Sequence, residues 1–263
     1  MAIIEEKYVQ LEQDGGIARI TINRPESLNA LNPDVLGSLI TIFDRLVKQA
    51  DLRVVTITGA GPKAFVAGAD VAAMSQLGPR PIADYAELGQ RAMRTIESCP
   101  VPVIASVNGY ALGGGLELAL ACDLIIASDT AKVGQPEVNL GIIPGFGGTQ
   151  RLVQRCGIGA ARRLCYTGEL LSAAEAQSIG LVDKVVGADA LVSETQSWAT
   201  LIAKKAPLAV RGAKSVIRQS QEGPLLAGLR LEVEEFLKLF GTSDREEGMS
   251  AFLQKREARF TGR

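Results

Sequence analysis

Hydrophobic and polar residues alternate near the start of the chain. The segments 8–13 and 17–23 both show the period of two that is typical of strands with one buried face. Gly15 and Gly16 stand between them, and two glycines between alternating segments favour a tight turn. The pattern therefore predicts a β-hairpin.

The spacing of the apolar residues changes to three and four after Asn32. Asn32, Pro33 and Asp34 form a typical helix start, with a capping side chain, a proline at the first position and an acid near the positive end of the helix dipole. Apolar residues then recur at helical spacing from Val35 to Leu46. We predict a helix over this stretch.

Three apolar segments further along predict buried strands, namely 53–58, 103–107 and 123–128. Between the last two, the glycines 113–115 lead directly into the helix-forming segment 116–121. A strand, a glycine turn, a helix and a second strand form the βαβ unit of α/β proteins. The predicted fold class is therefore α/β.

Strand patterns end near residue 185, and the rest of the chain has only helical patterns. The predicted helices are 188–206, 207–219, 224–240 and 243–260. We therefore expect an α/β core over 1–195 and a helical region over 196–263.

The chain has 263 residues and no histidine, which removes several classes of catalytic site. Ser-His-Asp and Cys-His nucleophilic sites are excluded, as are histidine-bound zinc and iron. A general acid or base must then be Glu, Asp, Lys, Tyr or Cys.

Charge and cysteine content narrow the classes further. The chain has 28 Lys+Arg and 29 Asp+Glu, a net charge of −1, which argues against a nucleic-acid-binding surface. The 4 cysteines form no CxxC motif, so we expect no metal knuckle and interpret them as buried free thiols of a reducing compartment. The segment 1–16 lacks the apolar core of a signal peptide, and the longest uncharged run is broken by prolines and glycines. These features predict a cytoplasmic protein without a membrane span or a metal.

Two glutamates lie beside glycine-rich segments. Glu117 follows the glycines 113–115 in the first turn of a predicted helix, and Glu137 precedes the glycine-rich segment 141–148. Their separation, 137 − 117 = 20 residues, leaves room for a return strand, so both carboxyl groups could reach one cleft as an acid–base pair. The spacing alone leaves open that Glu117 only complements a helix dipole and that Glu137 is a solvated loop acid.

Peptide N–H groups form a second candidate feature. The glycines 113–115 expose them at the positive end of a helix, where a developing oxyanion would be stabilised, although a tightly packed turn is the alternative. The segment 64–70 follows a predicted strand, and the N–H groups of Ala67 and Gly68 could face the same cleft. Asp70 has the position of a helix N-cap, an interpretation that we prefer to a catalytic one.

Several motifs, taken together, resemble those of the enoyl-CoA hydratase/isomerase family, also called the crotonase family. They occur in the family's order over nearly the whole chain and are 20–25 with 28–31, 64–70, 108–119, 135–137, 141–152 and 247–256. The resemblance implies a spiral of ββα turns with a C-terminal helical trimerisation region. It also implies homotrimers, which in this family commonly pair into hexamers.

The resemblance also implies which residues form the site. Two peptide N–H groups of the family's oxyanion hole, which holds the thioester oxygen of an acyl-CoA, fall on Ala67 and Gly114. The two catalytic acids fall on Glu117 and Glu137. The implied CoA-binding residues are Gly68, Ala69, Asp70, Phe252 and Lys255, the last two often from a neighbouring subunit. Lys255 is equally well interpreted as one charge of a solvated helix.

The activity that the resemblance implies is the reversible syn hydration of trans-2-enoyl-CoA to 3-hydroxyacyl-CoA, without a metal or redox cofactor. Relatives that only shift a double bond often keep one of the two acids, and this chain has both, which favours hydration. The alternatives are an isomerase, a decarboxylase, a dehydratase acting in reverse and, as a different class, an RNA-binding relative. Fatty-acid metabolism is one of several settings of the family. We expect the segment 72–85 to form part of the acyl pocket wall.

Overall fold

The computed structural model describes residues 2–221 and 223–263. These residues form eleven strands, numbered along the chain as β1 Ala2–Glu6, β2 Val9–Asp14, β3 Ile17–Ile22, β4 Val54–Gly59, β5 Ala64–Val66, β6 Val103–Val107, β7 Tyr110–Leu112, β8 Leu124–Ser128, β9 Lys132–Gly134, β10 Leu170–Ser172 and β11 Lys184–Val186. A seven-stranded sheet has the order β1-β2-β3-β4-β6-β8-β11, and a four-stranded sheet has the order β10-β9-β7-β5.

The sequence patterns of the first half are confirmed. Strands β2 and β3 pair as the predicted antiparallel hairpin, with Asp14 opposite Ile17 at the turn. Strands β3, β4, β6, β8 and β11 then run parallel. The expected βαβ unit is β6 and β8 with a helix between them, and β1 is an additional strand that the patterns did not predict.

The described residues also form ten α-helices, which are α1 Pro33–Leu46, α2 Val71–Met74, α3 Pro79–Glu97, α4 Gly114–Leu120, α5 Gly148–Thr167, α6 Ala173–Ser178, α7 Leu191–Ala203, α8 Pro207–Ser220, α9 Leu225–Phe240 and α10 Ser243–Leu253. The side chain of Asn32 caps α1 as predicted, accepting from the peptide N–H of Val35 at 2.9 Å. Helix α7 packs on the large sheet. The expected boundary at 195/196 falls within α7, and the division into two regions stays a prediction.

The last helix is shorter than the predicted 243–260, because it ends at Leu253. The chain folds back after it, and the carboxylate of Asp244 accepts from the peptide N–H groups of Thr261 at 2.7 Å and Gly262 at 2.8 Å. Arg256, which follows α10, forms an ion pair with Glu247 of that helix, at 2.6 Å. The last ten residues therefore lie back along α10 instead of extending it.

The main core lies between the large sheet and helices α1 and α3. Side chains such as Phe43, Leu39 and Ile57 are fully buried there, and their removal from water is the main source of stability. All four cysteines are free, three of them buried and Cys156 half-buried. Within the described ranges no helix combines the length and apolar character that crossing a membrane requires.

Candidate active site

Three consecutive glycines bring strand β7 into helix α4, and each has its own reason to lack a side chain. Gly113 has φ of 50° and ψ of −121°, and a Cβ atom there would lie 2.7 Å from Oε1 of Glu137. A Cβ atom on Gly114 would lie 3.1 Å from the ring of Phe146. One on Gly115 would overlap the carbonyl of Val66. The glycines therefore allow α4 to begin in close contact with three other segments.

Glu117 lies in the first turn of α4 and is only 1% exposed. Its Oε1 accepts from the peptide N–H of Phe146 at 2.8 Å and from that of Gly148 at 2.7 Å. Burial raises the pKa of Glu117, although these hydrogen bonds and the charge of Arg151 oppose the rise. The carboxyl group is therefore buried, oriented and easier to protonate than a carboxyl group in water.

Glu137 lies on a short 3-10 helix, Pro136–Leu140, that follows strand β9. Burial, helped by the charge of Glu117, raises the pKa of Glu137 to about 7. The fully buried Gln135 contacts it: with its amide nitrogen turned to the carboxylate, Gln135 donates to both oxygens at 2.9 and 3.0 Å. These two hydrogen bonds hold Glu137 in place and favour its ionised form, in opposition to the rise that burial causes.

Both glutamates line one cavity of about 750 Å³. Its other walls are mainly apolar and include Val71, Met74, Ile82, Leu112, Leu140 and Ile142. Met74 and Ile82 belong to the segment 72–85, so this segment contributes to the cavity wall, while its contact with an acyl group stays a prediction. The placement of the two carboxyl groups in one cleft, which spacing alone left open, is also observed.

Ala67, Gly68 and Ala69 line the cavity beside the start of α4, but their peptide N–H groups do not all face it. The N–H of Ala67 donates to the carbonyl of Leu28 at 3.0 Å, so it is already engaged. Leu31 bridges the next residues, donating to the carbonyl of Gly68 at 2.9 Å and accepting from the N–H of Asp70 at 3.0 Å. In a parallel bridge the residue between those two points its own N–H to the other side.

That residue is Ala69. Its N–H has no hydrogen-bond partner among the described residues, and its nitrogen lies 3.3 Å from the position that a Cβ atom would take on Gly114. The expectation that Ala67 supplies an oxyanion donor therefore needs correction, because the Leu28 carbonyl occupies that N–H. Sequence spacing missed this, since only the strand-like bridge to Leu31 decides which N–H faces the cavity.

Of the remaining expected residues, Asp70 makes the predicted cap contact, whereas Phe252 and Lys255 lie away from the cavity. Asp70 caps α2 as predicted, accepting from the N–H of Ala73 at 3.1 Å, and it pairs with Arg24 at 2.8 Å. These partners lower the pKa of Asp70. Phe252 is 83% exposed at the end of α10, and neither it nor Lys255 lines the cavity within a single chain. The described residues contain no group of three His, Cys, Asp or Glu side chains that could hold a metal ion.

Known proteins are similar to this chain in sequence and in fold. A family model described as "Enoyl-CoA hydratase/isomerase" matches residues 12–263. The chain belongs to the enoyl-CoA hydratase/isomerase family. Two relatives of this family are the crotonyl-CoA hydratase of Syntrophomonas wolfei, 45% identical over 95% of this chain and 96% of the relative, and the short-chain-enoyl-CoA hydratase of Clostridium acetobutylicum, 42% identical over 97% of each.

The family's solved structures have the same fold. The crystal structure of an enoyl-CoA hydratase from Bacillus anthracis superposes with a TM-score of 0.96, at 39% identity, over 98% of this chain and 100% of that one. The expected fold of the enoyl-CoA hydratase/isomerase family, α/β with C-terminal helices, is therefore confirmed.

Three residues of the site were not given roles from the sequence. Phe146 and Gly148 supply the N–H groups that hold Glu117, and Gln135 contacts Glu137. A glycine pair opening a helix, as at 147–148, is a signal for free N–H groups, but it does not identify their acceptor. The acceptor lies about thirty residues away in the sequence (148 − 117 = 31) and is brought there only by the fold.

Proposed function

We propose that the chain catalyses the reversible hydration of trans-2-enoyl-CoA to 3-hydroxyacyl-CoA. The observation that carries the proposal is the pair of carboxyl groups, Glu117 and Glu137, which share one apolar cavity and both have raised pKa values. Carboxyl groups with a pKa near the working pH suit proton transfer in either direction. The names of the relatives, crotonyl-CoA hydratase and short-chain-enoyl-CoA hydratase, support the same reaction.

The two carboxyl groups take different roles in the proposed mechanism. Glu117, ionised and oriented by two peptide N–H groups, takes a proton from water as the hydroxyl adds to carbon 3. Glu137, whose pKa is raised to about 7, gives its proton to carbon 2. The reaction adds one water molecule across the double bond. The proton taken up by Glu117 and the proton lost by Glu137 are then exchanged, which returns the site to its starting state. Because the two groups interact, they titrate as a pair.

Negative charge on the thioester oxygen requires donors in the transition state. We assign this role to the peptide N–H groups of Gly114 and Ala69, in place of Ala67, because the Ala67 N–H is already used by Leu28. A donor of this kind is typically worth about 3 kcal/mol of transition-state stabilisation. Gly68 and Ala69 are also among the CoA-binding residues that the resemblance implies.

We further propose that the substrate is a short-chain 2-enoyl-CoA and that the chain works as a homotrimer or a pair of trimers. The names of the two relatives support the short acyl chain. Apolar side chains on the outer side of α9, such as Val233 and Phe236, support a further interface because they are exposed in a single chain. Phe252 and Lys255 would reach CoA only from a neighbouring copy.

Substitution of each glutamate by glutamine tests the mechanism, since the amide keeps the shape but cannot exchange the proton. We expect Glu117→Gln and Glu137→Gln each to lower kcat by on the order of 10² to 10⁴. The assay follows loss of the conjugated enoyl-thioester absorbance over a series of acyl lengths, with the product mass determined. Glu175→Gln, an exposed acid of α6, is the matched control.

Two results would redirect the proposal. A variant of either glutamate that keeps its activity would rule out the two-carboxylate mechanism. A product of unchanged mass with a shifted double bond would identify an isomerase, the alternative within the family.

A further inference from the structure

The orientation of Glu117 depends on a segment that belongs to another part of the chain. Within the part of the chain that the structure describes, its Oε1 is held by the peptide N–H groups of Phe146 and Gly148 and by no side chain. A movement of the segment 145–148 would therefore move the carboxylate. The question is what fixes this segment.

Arg151, one turn into α5, holds the segment from behind. Its Nη1 donates to the carbonyl of Phe146 at 3.0 Å, so the guanidinium binds one side of the residue whose N–H binds Glu117. The backbone at Gly147 has φ of 109°, and a Cβ atom there would overlap the guanidinium. The glycine thus creates the space that Arg151 fills.

Arg151 is itself fixed by a second helix. Its Nε and Nη2 donate to the two carboxylate oxygens of Glu97, at 3.3 and 2.9 Å, and its side chain is only 12% exposed. A two-point contact of this kind sets direction as well as distance. Glu97 is the last residue of α3, and Gln90 of the same helix donates to the carbonyl of Gly145 at 3.1 Å.

We propose that Arg151 is a positioning residue for Glu117, held in place by Glu97, and that α3 sets the geometry of the water-activating carboxylate through this contact. The proposal rests on the proposed function, in which Glu117 activates water. The ion pair of Arg151 and Glu97 would then affect the reaction although it contacts neither the substrate nor the carboxylate of Glu117.

The charges around Glu117 make the proposal testable by pH. The titratable and charged groups that act on it or are affected by it are Arg151 of α5, Glu137 of the 3-10 helix and the thiol of Cys165. Arg151 is the cation of this set and favours the ionised form of Glu117. Its removal should therefore shift the acidic limb of the kcat–pH profile, which requires an ionised Glu117, to higher pH.

Steady-state kinetics of the full-length protein with crotonyl-CoA, from acid to alkaline pH, test the proposal. We expect Arg151→Gln to lower kcat by on the order of 10- to 100-fold with little change in KM, and to move the acidic limb upwards, because a small misplacement of a catalytic group costs up to about 10²-fold. Arg151→Lys should lower kcat without that upward shift, because it keeps the charge and loses the two-point contact.

The ion pair predicts a further result. The double variant Arg151→Gln with Glu97→Gln should be no slower than Arg151→Gln alone, because both changes remove the same support. Arg163→Gln is the matched control, since Arg163 lies in the same segment, beyond the kink at Gly157, and pairs with Glu169 at the surface. It should leave both kcat and the acidic limb unchanged.

Three outcomes separate the possibilities. If Arg151→Gln keeps the kcat and the acidic limb of Arg163→Gln, the positioning role is wrong. If Arg151→Gln does not fold, Arg151→Lys and Glu97→Gln still decide, because unchanged kcat in both overturns the proposal. If Glu117→Gln itself stays active, it is the proposed function that fails, whatever Arg151 does.

Discussion

Glu137 is half-buried at a site where its charged form is disfavoured. Its pKa rises from the ordinary value of 4.5 to about 7, chiefly because burial removes the carboxylate from water. The folded chain therefore binds this proton more tightly than the unfolded chain does. In the proposed reaction this is the proton that is given to carbon 2.

The stability of the protein should reflect the same proton. Between pH 4.5 and about 7 the folded state holds more protons than the unfolded state, so the free energy of unfolding falls as pH rises through that window. Glu137→Gln cannot titrate and lacks this fall. Its stability relative to the unsubstituted protein should therefore increase with pH across the window, by on the order of 1–3 kcal/mol, since solvent screens part of the shift.

Denaturant unfolding at a series of pH values measures this difference. Parallel stability curves for Glu137→Gln and the unsubstituted protein would show that the pKa of Glu137 is the same in the folded and unfolded states. In that case its role as a proton donor would lose its physical basis.

At the scale of elements, helix α3 shows packing overriding helix propensity. Gly89 lies in its middle, where alanine normally stabilises a helix. The ring of Phe146 occupies the place of a side chain at Gly89, and it packs edge-on against Tyr85 with the ring centres 5.5 Å apart. The hydroxyl of Tyr85 in turn donates to the carbonyl of Leu31.

Alanine at this glycine should therefore destabilise the protein. We expect Gly89→Ala to lower the free energy of unfolding by about 1–3 kcal/mol, as overpacking does, and to lower kcat because Phe146 moves. Gly37→Ala in α1 is the matched control. A Cβ atom there meets nothing within 4 Å, so that change should stabilise the protein by roughly 0.5–1 kcal/mol. Thermal melts of both variants decide, and a stabilised Gly89→Ala would contradict the packing argument.

Local patterns predicted the elements whose signals are local. The hairpin at Gly15, the cap at Asn32 and the cap at Asp70 depend on neighbours within three residues, and all three are observed. The end of α10 depends on Asp244 binding residues seventeen and eighteen positions later (261 − 244 = 17, 262 − 244 = 18). No periodicity reports such a contact, so the helix was predicted too long.

The groups of the site also separate into those with a local sequence signal and those that only the fold brings together. Glu117 and Glu137 were identified from their glycine-rich surroundings and from the family resemblance. The donors that orient Glu117, and the N–H that faces the cavity at Ala69, follow from hydrogen bonds between distant segments. The N–H of Ala67 donates to Leu28, whereas that of Ala69 is left free for the cavity by the bridge to Leu31, and neither partner is visible in the sequence.

At the scale of the whole molecule, α9 leaves an apolar surface open in the single chain. Phe236 is 62% exposed there, with Val233, Leu237 and Phe240 also exposed on the same helix. A surface of this kind is costly in water unless another surface covers it. This is the physical reason to expect association of copies through the C-terminal helices.

Charge at the centre of this surface should separate the copies. We expect Phe236→Glu to lower the mass in solution from that of a trimer or hexamer toward that of one chain, because a carboxylate cannot be buried without a partner. Light scattering after size-exclusion chromatography measures the mass. Val192→Glu, at an exposed apolar position of α7, should leave the mass unchanged. A monomeric unsubstituted protein would refute the expected assembly.

The peptide N–H of Phe146 that holds Glu117 affects how such a site can change in evolution. Every amino acid except proline offers the same N–H, so the hold on the carboxylate does not depend on which side chain stands at this position. The ring of Phe146, on the other hand, faces the cavity. A change of side chain at Phe146 would therefore have to be matched at Gly89, where the ring packs, whereas the N–H that holds Glu117 would be inherited unchanged.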